Sequence, residues 1–195
     1  MAEWTALGDR AVRFARPAGV PARSLVRAVR GWPGVVDVVV ARDEVAAYFA
    51  GAPQLHADQI RALAIATDDP EPVRNVAIAV VYDGEDLEAV ARACELSVED
   101  VVRRHHQATY VVDAIGFAPG FAYLRGLDAR LVLPRRATPR TRVPAGSLAI
   151  AGEHTAVYPF DSPGGWHVIG RVVDGPMFSA SGARLRLGDH VVFVA

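Results

Sequence analysis

Four arginines, Arg135, Arg136, Arg140 and Arg142, are interleaved with Pro134, Pro139 and Pro144. A guanidinium is a permanently charged planar fork that grips carboxylate or phosphate through paired hydrogen bonds. Proline stiffens the segment that carries it, so little further ordering is needed when an anion arrives. Two uses follow. Arg140 and Arg142, with Arg135 beside them, can clamp a carboxylated or phosphorylated substrate, or the arginines can tie loops together through acids such as Asp161 or Asp174. Downstream, His154, Tyr158, Trp166 and His167 can line the same mouth, with His154 the best placed proton shuttle near neutral pH. The alternative is a turn-capping His154 with Tyr158 and Trp166 packed inside. Ser147 and Ser162 invite a hydrolase reading. Neither sits in a G-x-S-x-G elbow and no lysine exists for a Ser-Lys dyad, so an autonomous amidase is not expected.

Composition narrows the chemistry. All 21 basic residues are arginine. Without lysine the chain cannot by itself form a P-loop, a Schiff base or a biotin carrier. About half the residues are apolar and the net charge is −1, as in a globular protein with a real core. The charge is uneven: residues 58–100 hold eleven acids against Arg61, Arg74 and Arg92, while 101–150 hold eight arginines against Asp113 and Asp128. An arginine surface of this kind suits an acidic partner or ligand; near-neutrality and the absence of a recognised motif argue against nucleic acid. No run of 18 apolar residues exists and the opening MAEWTALGDR lacks the features of a signal peptide, so a cytoplasmic protein without membrane contact is expected. Cys94, the sole cysteine, excludes an internal disulfide and a cysteine-cluster zinc site, and its helical position suggests packing. His105 and His106 are adjacent and so diverge around a helix, which argues against a shared metal; none is expected.

The elements that must position these residues fall into two groups. Strands are expected near Ala11–Ala15, Val35–Val40, Val45–Phe49 and Val76–Val81, with helices over Pro21–Arg30 and after Asp58 as N-cap. That order, βαββαβ, is the ferredoxin-like pattern. Thr67–Pro72 reads as an exposed connector. Leu87, Val90, Ala91 and Cys94, and then Val98, Val101, Val102 and His105, mark two amphipathic helices, the second opened by a Ser97/Asp100 capping box. After Tyr110, short strands at Tyr110–Ile115, Ser147–Ala151, Thr155–Tyr158, His167–Val172 and His190–Val194 alternate with Gly and Pro, the pattern of a closed barrel. The fold class is therefore α+β, with an N-terminal α/β domain over 1–73, its last strand shared near 76–82, and a β-barrel domain over 74–195.

GFAPGFAYL, LPRRATPRTRVPAGSLAIAG, YP and SPGGWHVIGR resemble the signature of the family formed by the 5-oxoprolinase B subunit, whose relatives are allophanate hydrolase subunit 1 and KipI, the sporulation-kinase inhibitor. The similarity runs from YDGEDL to GDHVVFV, with a weaker first half and Glu95-Leu96 where Gly-Leu is usual. The resemblance implies a ferredoxin-like α/β domain followed by a cyclophilin-like barrel. It implies a larger homologous partner, resembling the 5-oxoprolinase C subunit or allophanate hydrolase subunit 2, with or without a third protein. The implied activity is ATP-dependent opening of 5-oxoproline to glutamate, with ATP used by the complex at a site the sequence does not reveal; the alternatives are allophanate or urea-carboxylase-like chemistry, or inhibition of a sensor histidine kinase. In that setting Phe117, Phe121 and Tyr123 either plug the barrel or meet the larger subunit.

Overall fold

The computed structural model describes residues 4–65 and 72–195, and the chain divides into two compact units on either side of the Pro72–Val73 bond. Thr67–Glu71 of the expected connector lie outside the described residues.

The first unit contains β1 (Trp4–Ala6), β2 (Ala11–Ala15), α1 (Ala22–Arg30), β3 (Val35–Val40), β4 (Glu44–Phe49) and α2 (Ala57–Ala62). Its four strands form one antiparallel sheet in the order β1-β2-β4-β3. Period-two alternation puts Val12, Phe14, Val45, Ala47, Val38 and Val40 inside, while Arg13, Val39 and Tyr48 stay exposed. Leu25 and Val29, one helical turn apart on α1, are fully buried. His56, not Asp58, is the N-cap of α2, and its N–H donates to Gln59 Oε1 at 2.8 Å. The expected last strand of the βαββαβ set is absent from this sheet. It lies in the second unit, and the short β1 takes the edge beside β2 instead. A Val/Ala run reads alike in either sheet. What decides its place is the five-pair ladder with a strand more than a hundred residues later, from Asn75–His190 to Ala79–Val194.

The second unit contains β5 (Asn75–Val81), α3 (Leu87–Ala93), α4 (Val98–His106), β6 (Tyr110–Ile115), β7 (Ala122–Arg125), β8 (Arg140–Val143), β9 (Ser147–Ala151), β10 (His154–Val157), β11 (Ser162–Gly164), β12 (His167–Val172), β13 (Phe178–Ser179), β14 (Gly182–Ala183) and β15 (His190–Val194). Seven of these strands close into a barrel in the order β10-β7-β6-β15-β5-β12-β9, with β9 pairing back to β10. All its pairs are antiparallel except β5 with β15. Ile78, Val80, Val112, Leu124, Leu148, Ile150, Ile169, Val191 and Phe193 share one buried cluster with Leu87, Val90 and Ala91 of α3 and Val101 of α4. Each such side chain contributes about 1.5–3 kcal/mol of burial. Cys94 packs at the margin of this cluster.

Between the two helices the chain turns through Glu95, whose φ is +54°. Leu96 N–H bonds back to Ala91 O (2.9 Å) and Glu95 N–H to Arg92 O (3.2 Å), the paired pattern that ends a helix through a left-handed residue. Ser97 caps α4, accepting from Asp100 N–H at 3.0 Å. Among the described residues no helix is long and apolar enough to cross a membrane.

Candidate functional site

On β9, β10 and β12 both faces are buried. Leu148, Ile150, Val157 and Ile169 point into the barrel core, and Ala149, Ala151, Ala156, Tyr158 and Val168 belong to a second cluster with Phe121 and Trp166. Small alanines on that face leave room for rings. Phe121, 2% exposed, is the hub: Phe117, Tyr123, Tyr158 and Trp166 surround it at centroid distances of 5.3, 5.0, 5.4 and 5.6 Å, all edge-to-face. Such contacts add about 0.5–1.5 kcal/mol each beyond burial. Tyr123 carries the array outward to Trp166 (5.8 Å) and His154 (6.0 Å). The Tyr158 hydroxyl lies at the backbone N–H of Trp166, and burial, its largest influence, raises the phenol's pKa despite that bond and the charges of Arg135 and Arg140. Gly164 passes so close to this hydroxyl that a Cβ there would overlap it. Glycine is therefore required by contact.

Phe117 is held differently. Its φ is +70° and Ala118 N–H donates to Gly116 O at 2.9 Å, which makes a γ-turn of the strained, positive-φ kind. A bulky residue in that region costs about 1–3 kcal/mol. Two further bonds, Gly116 N–H to Phe121 O (3.2 Å) and Phe121 N–H to Ala118 O (3.0 Å), lock the loop. One edge of the ring rests on Phe121 while the residue is 63% exposed.

The arginine segment is partly strand: β8 pairs with β11. Asp86, 3% exposed, gathers two of its arginines, accepting from Arg136 at 2.6 Å and from both Nη atoms of Arg140 at 2.8 Å. It also accepts from Val168 N–H at 2.7 Å, and its own N–H donates to Val168 O at 2.9 Å. Glu85 takes the remaining edge of Arg140 at 2.8 Å. Burial pushes the Asp86 carboxyl up, but the hydrogen bonds from Arg140 and Val168 and the charges of both arginines outweigh it and leave the pKa below its ordinary value. Arg142 is exposed and binds Asp161, which also accepts from Ala145 N–H at 2.8 Å. Asp174 pairs with Arg184, not with this segment.

Arg135, also exposed, makes no ion pair among the described residues. Its backbone is nevertheless fixed on both sides, by His167 Nε2 at 2.9 Å from Pro134 O and by Arg136 N–H to Gly165 O at 2.8 Å. His154, half-buried at the start of β10, has its ring against Tyr123. Trp166 is 5% exposed. Tyr123 thus joins His154 and Trp166, and the backbone around Arg135 is tied to both sides of Trp166, while Arg140 and Arg142 are already held by acids. Asp86 is the organising residue that the sequence pattern does not reveal. A single Asp before a helix reads as a cap, and here its side chain makes no capping bond.

His105 belongs to another network. It is fully buried, with Nδ1 2.8 Å from the Tyr82 hydroxyl and Nε2 2.9 Å from Thr155 Oγ1. Thr155 donates to Ala149 O, so Nε2–H donates to Thr155 and Nδ1 accepts from Tyr82. Burial, with the neighbouring His106 charge second, pushes its pKa down to about 3. His106 Nδ1 lies 2.8 Å from Phe193 O.

A two-layered barrel bearing an aromatic face and an arginine-rich strand, preceded by a separate α/β unit, defines a class of paired-subdomain proteins. The profile described as "Carboxyltransferase domain, subdomain C and D" matches residues 5–185, and this chain belongs to that family, together with the B subunits of 5-oxoprolinase. It is 45% identical over 127 residues to the 5-oxoprolinase B subunit of Haemophilus influenzae, covering 62% of this chain and 59% of that one. It is 45% identical over 136 residues to the protein of the same name from Bacillus subtilis, covering 67% and 56%. With that of Escherichia coli O157:H7 the identity is 38% over 177 residues, covering 83% and 78%. The chain thus spans little more than half the length of the first two relatives. Among solved structures, TTHA0988 superposes with a TM-score of 0.78 at 36% identity, covering 95% of this chain and 40% of that one. The Kluyveromyces lactis urea amidolyase shares the fold alone, at 17% identity and a TM-score of 0.68, with 98% of this chain matching 14% of the larger one.

Proposed function

We propose that this chain is a non-autonomous subunit of a cytoplasmic 5-oxoprolinase, working beside a larger homologous subunit and a third protein in the ATP-dependent opening of 5-oxoproline to glutamate. The observation that carries this reading is the E. coli relative named as the B subunit of 5-oxoprolinase, matched over 78% of its length at 38% identity. The geometry supports it. Phe117 and Arg135 are both exposed, Phe117 with one edge against the aromatic cluster. A second chain would cover these residues. ATP would activate the lactam carbonyl within the assembled complex. What this chain supplies is orientation: a rigid aromatic wall, and a charge for the substrate's anionic end.

The test is co-expression with the larger homologue, purification through one tag, and measurement of ATP-dependent glutamate release with the third protein added. Turnover only in the full mixture is the expected result. A stable complex inert toward 5-oxoproline and active on allophanate would replace this reading with the urea-derived one. Failure to form any complex, together with capture of a histidine kinase, would replace it with a regulatory one.

A further inference from the structure

We infer that Arg135 is this chain's carboxylate-binding group, set on the aromatic face to take the anionic end of a small cyclic amide acid; the choice of acid rests on the 5-oxoprolinase reading above. Charge counting isolates it. Asp86 and Glu85 answer Arg136 and Arg140, and Asp161 answers Arg142. Arg135 is left as the guanidinium of the segment without an acid among the described residues. Ordinary surface arginines can be unpaired too, and the distinction lies in how this one is mounted.

Three backbone contacts fix the stretch that carries it. Gly152 N–H donates to Leu133 O (2.7 Å), His167 Nε2 to Pro134 O (2.9 Å), and Arg136 N–H to Gly165 O (2.8 Å). The partners come from the β9–β10 turn and from the residues on either side of Trp166. Arg135 is therefore pinned between the two segments that contribute His154 and Trp166. The Asp86 contact fixes the next side chain along, so the segment cannot swing away without breaking a buried ion pair. The backbone on both sides of Arg135 is thus tied to Gly165 and His167, the two residues that flank Trp166. A guanidinium without an acid, mounted on a segment tied to both sides of Trp166, suits a small ring that bears a carboxylate. An exposed arginine alone binds weakly, so this chain by itself should hold such a ligand only in the range of about 1 mM or weaker. Closure by a partner would raise that affinity.

The probes are 5-oxoproline, 2-pyrrolidinone, which has the same ring without the carboxylate, and acetate. Each is titrated into the full chain while the Trp166 indole N–H resonance is followed, assigned with Trp166→Phe. A saturable shift with 5-oxoproline, absent with 2-pyrrolidinone and absent in Arg135→Ala, supports the inference; Arg135→Lys should retain part of it. In the assembled complex, Arg135→Ala should raise the KM for 5-oxoproline by about tenfold or more, with kcat changed far less. A response in Arg135→Ala equal to wild type, with an unchanged KM, overturns it. If the complex never turns over 5-oxoproline but acetate or other carboxylates still shift Trp166 through Arg135, the anion site stands and only the activity assignment falls.

Discussion

Asp86 and Arg140 meet in a two-point contact, Oδ2 with Nη1 and Oδ1 with Nη2, each at 2.8 Å, joining the start of α3 to a strand 54 residues further along the chain. The carboxylate is almost fully buried, while Arg140 retains 17% side-chain exposure. A contact of this kind is costly to half-dismantle, because the surviving arginines keep their charge and lose their counter-ion.

Asp86→Asn should therefore destabilise the second unit by about 3 kcal/mol. The folded pKa of Asp86 lies below its unfolded value, so its contribution is complete above the ordinary carboxylate range and fades as pH falls through the folded value. Urea unfolding at neutral and acid pH checks both statements. The wild type and Asn variant should differ most at neutral pH and converge in acid.

His105 gives a pH dependence at a different place. Folded, it stays neutral down to about pH 3; unfolded, it takes a proton near its ordinary value of 6.5. The unfolded state thus binds more protons between these values, and stability must fall as pH drops below 6.5, by at most about 1.4 kcal/mol per pH unit. His105→Gln keeps a donor and an acceptor but cannot titrate. Its unfolding midpoint should be flatter than wild type between about pH 6.5 and about pH 5.

Glu95 sits at +54°, a left-handed conformation that glycine adopts without a Cβ penalty. Glu95→Gly removes the Cβ penalty of a left-handed residue and should raise stability by about 1 kcal/mol, read as a higher melting temperature with unchanged assembly. A lower melting temperature would show that the lost side chain had been making a stronger contact than the strain it imposed.

Phe117 and Phe121 should separate in behaviour although they touch. Phe121→Ala empties the hub of the aromatic cluster and should cost about 3–5 kcal/mol of stability. Phe117→Ala removes an exposed ring, so melting should change little while affinity for the larger subunit falls by about 2 kcal/mol, the scale of an interface hot spot. Equal affinity of wild type and Phe117→Ala for the partner would return the turn to a local role.

Much of this architecture is legible in the amino-acid order. The stripe Leu87, Val90, Ala91, Cys94 and the Ser97 cap define two helices because their information is local. Five barrel strands show themselves as short β-rich segments set off by the turn residues between them. Ala122–Arg125 does not, since its four residues follow directly on an aromatic loop and complete no recognisable period. Arg140–Val143 is hidden by the same prolines that suggested a stiff loop. The Arg142–Asp161 pair is among those the sequence suggests. Asp86 is not, because its role depends on three elements distant in sequence converging on one carboxylate, and no spacing announces that.

The parallel pairing of β5 with β15 has a consequence for synthesis. A ribosome delivers β5 early and β15 last, yet β15 is the strand that fills the gap between β5 and β6. Until His190–Val194 emerge, both of those strands present an open edge of unpaired backbone, the arrangement most prone to capture by another chain. The first unit has no such wait, since every strand of its sheet lies within residues 4–49. The nascent chain therefore passes through a stage with a finished sheet followed by an unsealed barrel, and a stall or a cut before residue 190 would leave it there.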